Sequence, residues 1–489
     1  MVGDKKMEKL PEGWKFVRLG EIIEGKIRNG FTYNYYQITQ KGIPVARIET
    51  ISDGHIDISK VGYISEILAK KIMKFRLQVG DILLSHINSF EHVGKAAIYK
   101  GIPQLLIHGM NLLLIRLSKD KCEPFYLIKF LKQKKIRNEI RALSGQAVNQ
   151  VSIKPYYLAN LLIPIPPLPE QRKIAEILET VDNSIEKTDK IIEKYKRIKQ
   201  GLMQVLLTKG IVESDELGVR SYESENGKSD ELGVRNYEAR SKNDELGVMS
   251  YEAKNKSFEL EGKKWEIRSE KKHKFKDSPL GRIPEEWEVV ELGETSSRVD
   301  YGYTESANYE EVGPKFLRIT DIQDNKVDWD KVPFCLINAE NAKKYILKTG
   351  DIVFARTGAT TGKSFYIKNP PFAIFASYLI RIRFRENIDS KFASYFFNSE
   401  IYWDQINSDL SGSTQEGVNA SKLKKIKIPL PLLPEQQRIA SILSQIDETI
   451  EKEEKYKAKL ERIKQGLMED LLTGKIRVNH LIEGDGNND

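Results

Sequence analysis

Cysteine is nearly absent: the 489 residues hold two, Cys122 and Cys335. Two thiols build neither a disulfide framework nor a cysteine-based zinc site, and such sparse use fits a reducing compartment, read here as the cytoplasm. Histidine is scarce too. The six histidines are scattered, none pairs at helical spacing, and His86 and His92 share a loop with no cysteine or second pair beside them, so no metal centre is expected. No apolar run of about 18 residues occurs, so no membrane-spanning helix is expected. The opening MVGDKKMEKLPEGW lacks the apolar stretch of a secretory signal. Neither a Gly-x-Ser-x-Gly nor a Ser-His-Asp arrangement stands out, which leaves nucleophilic catalysis without support. The charge excess is mild: 78 basic against 70 acidic residues, a net +8 that hints at a polyanionic partner without establishing one. What is present, 40% hydrophobic and 30% charged residues, suits a core-forming chain of two to four domains.

The chain is written twice. Leu168-Pro-Glu-Gln-Arg-Lys-Ile-Ala-Glu-Ile-Leu178 returns as Leu433-Pro-Glu-Gln-Gln-Arg-Ile-Ala-Ser-Ile-Leu443, and Arg197-Ile-Lys-Gln-Gly-Leu-Met203 returns as Arg462-Ile-Lys-Gln-Gly-Leu-Met468. Both pairs are 265 residues apart. Looser matches drift: Pro11-Glu-Gly-Trp14 with Pro284-Glu-Glu-Trp287 at 273, Gly80-Asp-Ile82 with Gly350-Asp-Ile352 at 270, and Gly94-Lys95 with Gly362-Lys363 at 268. Each half is therefore a variable domain followed by a fixed segment.

The fixed segments read as helices. Each opens with proline before Glu-Gln, which suits a first turn, and no further proline follows to Thr208 or Thr473. In the first, Ile174, Leu178, Val181, Ile185, Thr188, Ile192, Tyr195, Leu202 and Leu206 fall on alternating steps of four and three, with Lys199 in the remaining place. In the second, Ile439, Leu443, Ile446, Ile450, Leu460, Leu467 and Leu471 take the same register, interrupted by Glu453, Lys457 and Lys464. This is a coiled-coil seam, and the two helices are expected to pack on each other. Each would run roughly 60 Å at about 1.5 Å per residue.

Between the halves, Ser214 to Glu223 recurs as Ser229 to Glu238 and Asn243 to Glu252, with Ser257-Phe-Glu-Leu260 as a decayed fourth copy. Low apolar content marks a flexible tandem-repeat linker rather than a core. Residues 213–270 hold 15 acidic and 10 basic residues, so the rest of the chain carries +13. Within the variable domains, Asp81–Leu84, Lys95–Tyr99, Asp351–Phe354 and Tyr378–Arg383 read as strands, and Phe125–Lys134 and Lys391–Ile406 as helices.

Several motifs invite chemistry. Asn369-Pro-Pro-Phe372 resembles the catalytic loop of amino-group DNA methyltransferases, which holds a flipped base by its amino group against an aromatic ring. No Gly-rich donor loop in a βαβ setting accompanies it, and the first half offers only Lys100-Gly-Ile-Pro103, so a Pro-Pro turn is the favoured reading. Gly358-Ala-Thr-Thr-Gly-Lys-Ser364 has one residue too few between its glycines for a P-loop. It reads either as a solvated hairpin or as a polar loop offering Arg356, Thr357, Thr360, Thr361 and Lys363 to a ligand. Basic, amide and aromatic residues recur in both halves. The first half has Tyr33, Tyr35, Arg47, His86, Asn88, Lys95, Asn149 and Gln150. The second has Tyr301, Tyr303, Arg318, Arg356, Thr357, Thr360, Lys363, Gln415 and Asn419. Arginine, asparagine and glutamine can read base edges bidentately in a major groove, and these residues are the candidate DNA contacts.

Pro-x-x-Trp openings, paired Gly-Asp-Ile turns and duplicated Leu-Pro-Glu-Gln helices at a locked offset together resemble the specificity subunit of type I restriction–modification systems. The resemblance covers nearly the whole chain, apart from the long repeat-rich junction. It implies mixed α/β target-recognition domains in tandem, each followed by a long helix, with the helices in an antiparallel coiled coil and the whole a pseudo-twofold duplication. The expected boundaries are 1–165 and 277–430 for the recognition domains, 166–209 and 431–475 for the helices, 210–276 for the linker and 476–489 for a disordered tail. The resemblance further implies that each domain reads half of a split double-stranded DNA target. Two modification subunits would then methylate adenine with S-adenosylmethionine, and restriction subunits would add ATP- and magnesium-dependent translocation and cleavage. No cofactor is expected on this chain itself. The competing readings are an adenine methyltransferase using Asn369–Phe372 and a coiled-coil scaffold with no DNA role.

Overall fold

The fold is described from a computed structural model that covers residues 10–34, 37–51, 54–147, 150–213, 257–260, 263–323, 325–411 and 417–482. Two helices dominate it, Leu168–Lys209 of 42 residues and Leu433–Thr473 of 41. The chain divides into two compact units, Met1–Ile191 with Glu453–Asp489, and Ile192–Lys452. Each unit takes part of both helices.

In the first unit the helices run antiparallel. Asp182 pairs with Lys464 at 2.6 Å and Asp189 with Lys457 at 2.7 Å, so numbering rises on one helix as it falls on the other. Ile174 and Leu178 are buried in one core with Leu471, and Leu467 packs at its edge. Leu460 is buried, and Val181 and Ile185 are half-buried. In the second unit Lys199 pairs with Asp447 at 2.6 Å, and Ile192, Leu202 and Leu206 share a core with Ile439, Leu443, Ile446 and Ile450. The lysine interruptions of the seam, Lys199, Lys457 and Lys464, thus meet partners of opposite charge. Such pairs add little energy but fix which residues face each other. Asp182 also takes the Lys129 ammonium of the recognition domain. Burial works against its charged form, yet the two lysines outweigh this and hold its carboxyl below the ordinary value.

The two α/β domains share one plan. In the first, the sheet order is Arg28–Asn29, Leu112–Ile115, Ile82–Ser85, Ala96–Ile98, Gly54–His55. In the second, it is Ser296–Tyr301, Leu379–Phe384, Ile352–Ala355, Ser364–Tyr366. Ile82–Ser85, Leu112–Ile115 and Ile352–Ala355 are almost continuously apolar because both faces are covered, whereas Leu379–Phe384 also carries Arg381 and Arg383. Ile82, Leu84, Leu113 and Ile115 pack towards helix Pro124–Lys132, while Leu83, Leu112 and Leu114 pack into a second core with Leu77 and Leu106. Ile352, Phe354, Ile380 and Ile382 likewise face helix Ser390–Phe396, and Val353 and Leu379 face the opposite way, against Leu317 and Phe375. The stretch read as one helix over Lys391–Ile406 breaks into Ser390–Phe396 and Glu400–Ser411. The Gly-Asp-Ile turns place a buried carboxylate beside the sheet. Asp81 takes both Arg116 nitrogens at 2.7 and 2.6 Å, and Asp351 takes those of Arg383 at 2.6 and 2.7 Å.

Two boundaries differ from expectation. Composition bounds the linker at 210 and 276, but Ile211–Glu213, Lys263–Ile267 and Ser257–Leu260 form a three-stranded sheet, and Phe275–Ser278 pairs with Gly281–Pro284. The pairing of Ile211–Glu213 with Lys263–Ile267 spans a long sequence separation, and the other two are hairpins of short, partly polar strands, so composition alone hides them. The copies at 214–223, 229–238 and 243–252 lie outside the described residues. The tail expected from 476 begins with ordered chain: Val478 is buried, Asn479–Leu481 forms a 3-10 turn, and Arg477 is held by Glu170.

Candidate nucleic-acid interface

The start of each long helix is a joint between recognition domain and frame. In the first unit Glu170, 2% exposed, accepts from Trp14 Nε1 at 3.1 Å and from Arg477 at 2.7 and 2.8 Å. In the second unit Glu435 accepts from Trp287 Nε1 at 3.1 Å, from the Ile211 amide at 2.9 Å and from two Arg268 nitrogens. The next residue does the complementary work. Gln171 accepts from the Glu123 amide at 2.8 Å and donates to the Lys121 and Pro166 carbonyls, and Gln436 accepts from the Asp389 amide at 2.9 Å and donates to Asn387 and Pro431. Gly210 and Gly474 end the helices at φ +62° and +76°. A Cβ on Gly474 would lie 2.5 Å from Pro11, and one on Gly210 would lie 2.4 Å from the Trp287 ring, so both positions demand glycine for space as well as angle. The duplicated Trp, Glu and Gln were visible as repeats, but their roles were not. For the arginines the only sequence signal is the shared Ile-Arg dipeptide, Ile267-Arg268 and Ile476-Arg477, after each helix.

The candidate contacts separate into two groups. Arg47 and Arg318, matched between the halves, both cap a 3-10 turn and are neutralised locally. Arg47 pairs with Glu49 at 2.9 Å, and Arg318 pairs with Asp321 at 2.7 and 3.0 Å, which raises its affinity for its proton. Tyr33 is buried in a core cluster with Val45 and Ile107, and burial raises its pKa. Tyr303 is half-buried and packs on Tyr345 at 5.3 Å between centroids. Asn419 caps helix Ala420–Lys425 by accepting from the Lys422 amide at 2.8 Å. In the first unit Asn88 donates to the Ser85 hydroxyl at 3.3 Å, and Lys95 is half-buried at the start of a strand. Tyr35, Asn149, Gln415 and the side chain of Gln150 lie outside the described residues.

The structure does bring Tyr301, Arg356 and the segment at Asn419 together. The Arg356 guanidinium lies over the Tyr301 ring at 4.8 Å, and the Tyr301 hydroxyl accepts from the Ala420 amide at 3.1 Å. The Val418 amide donates to the Arg356 carbonyl at 3.0 Å. Thr357 and Thr360 are half-buried in the adjoining turn, and Lys363 is exposed at its far end. Beside this cluster lies an open cleft of about 710 Å³ lined by residues that include Thr304, Ser306, Arg318, Ser377 and Tyr378, the last 62% exposed. The Gly358–Thr360 turn joins two antiparallel strands as a hairpin.

His86 occupies the matching place in the first unit. Ser85 pairs with Leu112 as Ala355 pairs with Leu379, so His86 and Arg356 are the same step beyond the central strand. His86 is 7% exposed, neither ring nitrogen has a partner among the described residues, and burial lowers its pKa. Asn369-Pro-Pro-Phe372 forms the bend between strands Ser364–Tyr366 and Ala373–Phe375. Asn369 adopts φ +45°, its amide oxygen takes the Thr349 hydroxyl at 3.4 Å, and Phe372 is exposed.

With this geometry in hand, similarity to known proteins is informative. The family model for the type I restriction modification DNA specificity domain matches residues 11–197 and 284–462. A Methanocaldococcus jannaschii protein, the MjaX specificity subunit of a type I restriction enzyme, is 36% identical over 480 residues, covering 96% of this chain and 95% of its own. The MjaVIII specificity subunit of the same organism is 29% identical over 493 residues, covering 97% and 95%. The crystal structure of a type I restriction–modification S subunit from M. genitalium superposes with a TM-score of 0.55 at 14% identity, covering 96% of this chain and 97% of that one, a likeness of fold.

Proposed function

The chain belongs to the type I restriction–modification DNA specificity family, and on that premise we propose that it reads a bipartite double-stranded DNA target, one half through each recognition domain. The observation that carries this reading is the duplicated joint. Trp14–Glu170–Arg477 and Trp287–Glu435–Arg268 fasten two domains to the same kind of helical frame, while the surfaces beyond the central strands differ. A frame repeated in kind and two readers that differ is the arrangement a split, asymmetric target requires. Major-groove faces recur about every 34–36 Å along one side of B-DNA, which sets the separation that two readers on one frame must meet.

Two modification subunits dock on the frame and carry out adenine methylation, and restriction subunits add ATP-driven translocation and cleavage. The chain itself is non-catalytic. Asn369, whose amide oxygen is taken by Thr349 in a tight turn, supports a structural rather than a base-holding role for its motif. The test is co-expression with the cognate modification subunit in a methylation-free host, followed by methylome sequencing. A two-part adenine-methylated motif that vanishes without this chain is the expected result. Random or absent methylation refutes the reading, and methyl transfer by the purified chain alone refutes its non-catalytic part.

A further inference from the structure

Most arginines around the second recognition sheet are spent on carboxylates. Arg318 is held by Asp321, Arg381 by Asp300, and Arg383 by Asp351. Arg356 differs. Among the described residues no carboxylate pairs with it; its only polar side-chain contact is a long 3.4 Å bond to the Ser377 carbonyl. Residues 352–385 contain no Asp or Glu and six basic residues, so this stretch of the sheet supplies no counter-charge of its own. A guanidinium left without a carboxylate would ordinarily sample many rotamers. Here it is laid on the Tyr301 ring at 4.8 Å, and the ring is pinned by its own hydroxyl to the Ala420 amide. Its backbone is fixed from the third side by Val418. Tyr301 is 40% exposed, so the shelf faces solvent rather than core.

We propose that Arg356, stacked on Tyr301, reads a guanine in the half-site of the second recognition domain. A planar guanidinium with a free edge presents two parallel N–H donors that match O6 and N7 of guanine, a pattern no other base offers in the major groove. Stacking removes the rotamer freedom that a free arginine would lose on binding. Exposed Lys363, at the far end of the same turn, is placed for a phosphate and carries no sequence information. The first domain puts His86 at this step, a single-donor ring that cannot make the bidentate contact, so the two half-sites differ at the corresponding base pair.

This assignment rests on the DNA-reading role and fails separately from it. Methylome sequencing of the complex with the wild-type chain comes first: no motif at all overturns the role itself. If a motif appears but neither half-site contains a G·C pair, the role stands and the Arg356 assignment falls. Otherwise, binding of the complex is measured on target duplexes carrying 7-deazaguanine, which lacks the N7 acceptor, at each guanine in turn. One position in one half-site should weaken binding about tenfold or more. R356Q should erase that sensitivity and relax methylation at the same position, leaving the other half-site and the gap unchanged. R356M, which keeps the unbranched stem without any donor, covers the case that R356Q does not fold and should also lose the discrimination. A scan with no sensitive guanine, or variants that keep the wild-type motif and its 7-deaza sensitivity, overturns the proposal.

Discussion

Replacing Arg477 by alanine should destabilise the first recognition domain although the residue lies 307 positions from its main partner, Glu170. Glu170 is 2% exposed and accepts from two Arg477 nitrogens and Trp14 Nε1. Without Arg477 a buried carboxylate keeps one neutral donor. Breaking a buried ion pair from one side costs about 3–5 kcal/mol. The arginine side chain is 26% exposed, so solvent tempers the loss to about 2–3 kcal/mol. Adding Glu170→Gln tests the mechanism: glutamine keeps an acceptor for Trp14 and removes the stranded charge, so the double variant should recover about 1 kcal/mol over Arg477→Ala alone. Native-state hydrogen exchange, read in peptides covering residues 10–20 and 165–178, reports this unit separately from the other. Protection within about 0.5 kcal/mol of wild type, or a double variant less stable than the single, would refute the reasoning.

Four further outcomes are expected. His108 is fully buried, bonds to the Leu112 carbonyl, and burial pushes its pKa down to about 4. The folded state therefore resists protonation between pH 6.5 and 4, and stability of the first unit should fall over that window by up to about 3 kcal/mol as pH drops. His108→Gln should flatten the slope in urea titrations at pH 7 and 4.5; an unchanged slope means other groups govern it. Reversing Lys199 to Asp should cost about 1 kcal/mol or more, and adding Asp447→Lys should restore part of it, seen as coupling in thermal unfolding. Inserting four residues between Ile185 and Ile198 should lengthen the unread gap in the methylated motif while both half-sites stay the same; an unaltered gap counts against the frame as ruler. Removing one repeat, residues 229–242, should leave the motif untouched, and a changed motif would assign the repeats a structural part.

Legibility in the sequence followed the range of each interaction. The seam from Ile174 to Leu206 and its copy from Ile439 to Leu471 is a local periodicity, so both helices could be outlined to within a few residues. Strands Ile82–Ser85 and Ile352–Ala355 are legible because burial on both faces makes them almost continuously apolar. The partners of the seam's polar gaps are not. Nothing local ties Lys464 to Asp182 or Lys199 to Asp447, because antiparallel register is decided by packing hundreds of positions away. The same holds for Arg477 with Glu170, and for strands Ile211–Glu213 and Lys263–Ile267, whose pairing spans the repeats. Composition read the whole stretch as linker because short, partly polar strands resemble loop until their partner is known.

The recognition residues expose a subtler reason. Recurrence in both halves looks like a mark of base contact, and Arg47 with Arg318 is a matched instance. Yet those two cap equivalent turns and are quenched by Glu49 and Asp321. Duplication preserves whatever the fold needs, so a residue found in both halves at one place is first a scaffold residue: Trp14 and Trp287, Asp81 and Asp351, Gln171 and Gln436. A target whose halves differ demands that the readers differ. The informative positions are those where topology matches and chemistry does not. His86 against Arg356 is one, and Asn29 against Tyr301, which pair with Leu113 and Ile380 at equivalent steps of the sheet, is its neighbour. In a duplicated chain of this kind, sameness locates the frame, and difference marks the positions to test as the proposed reading surface.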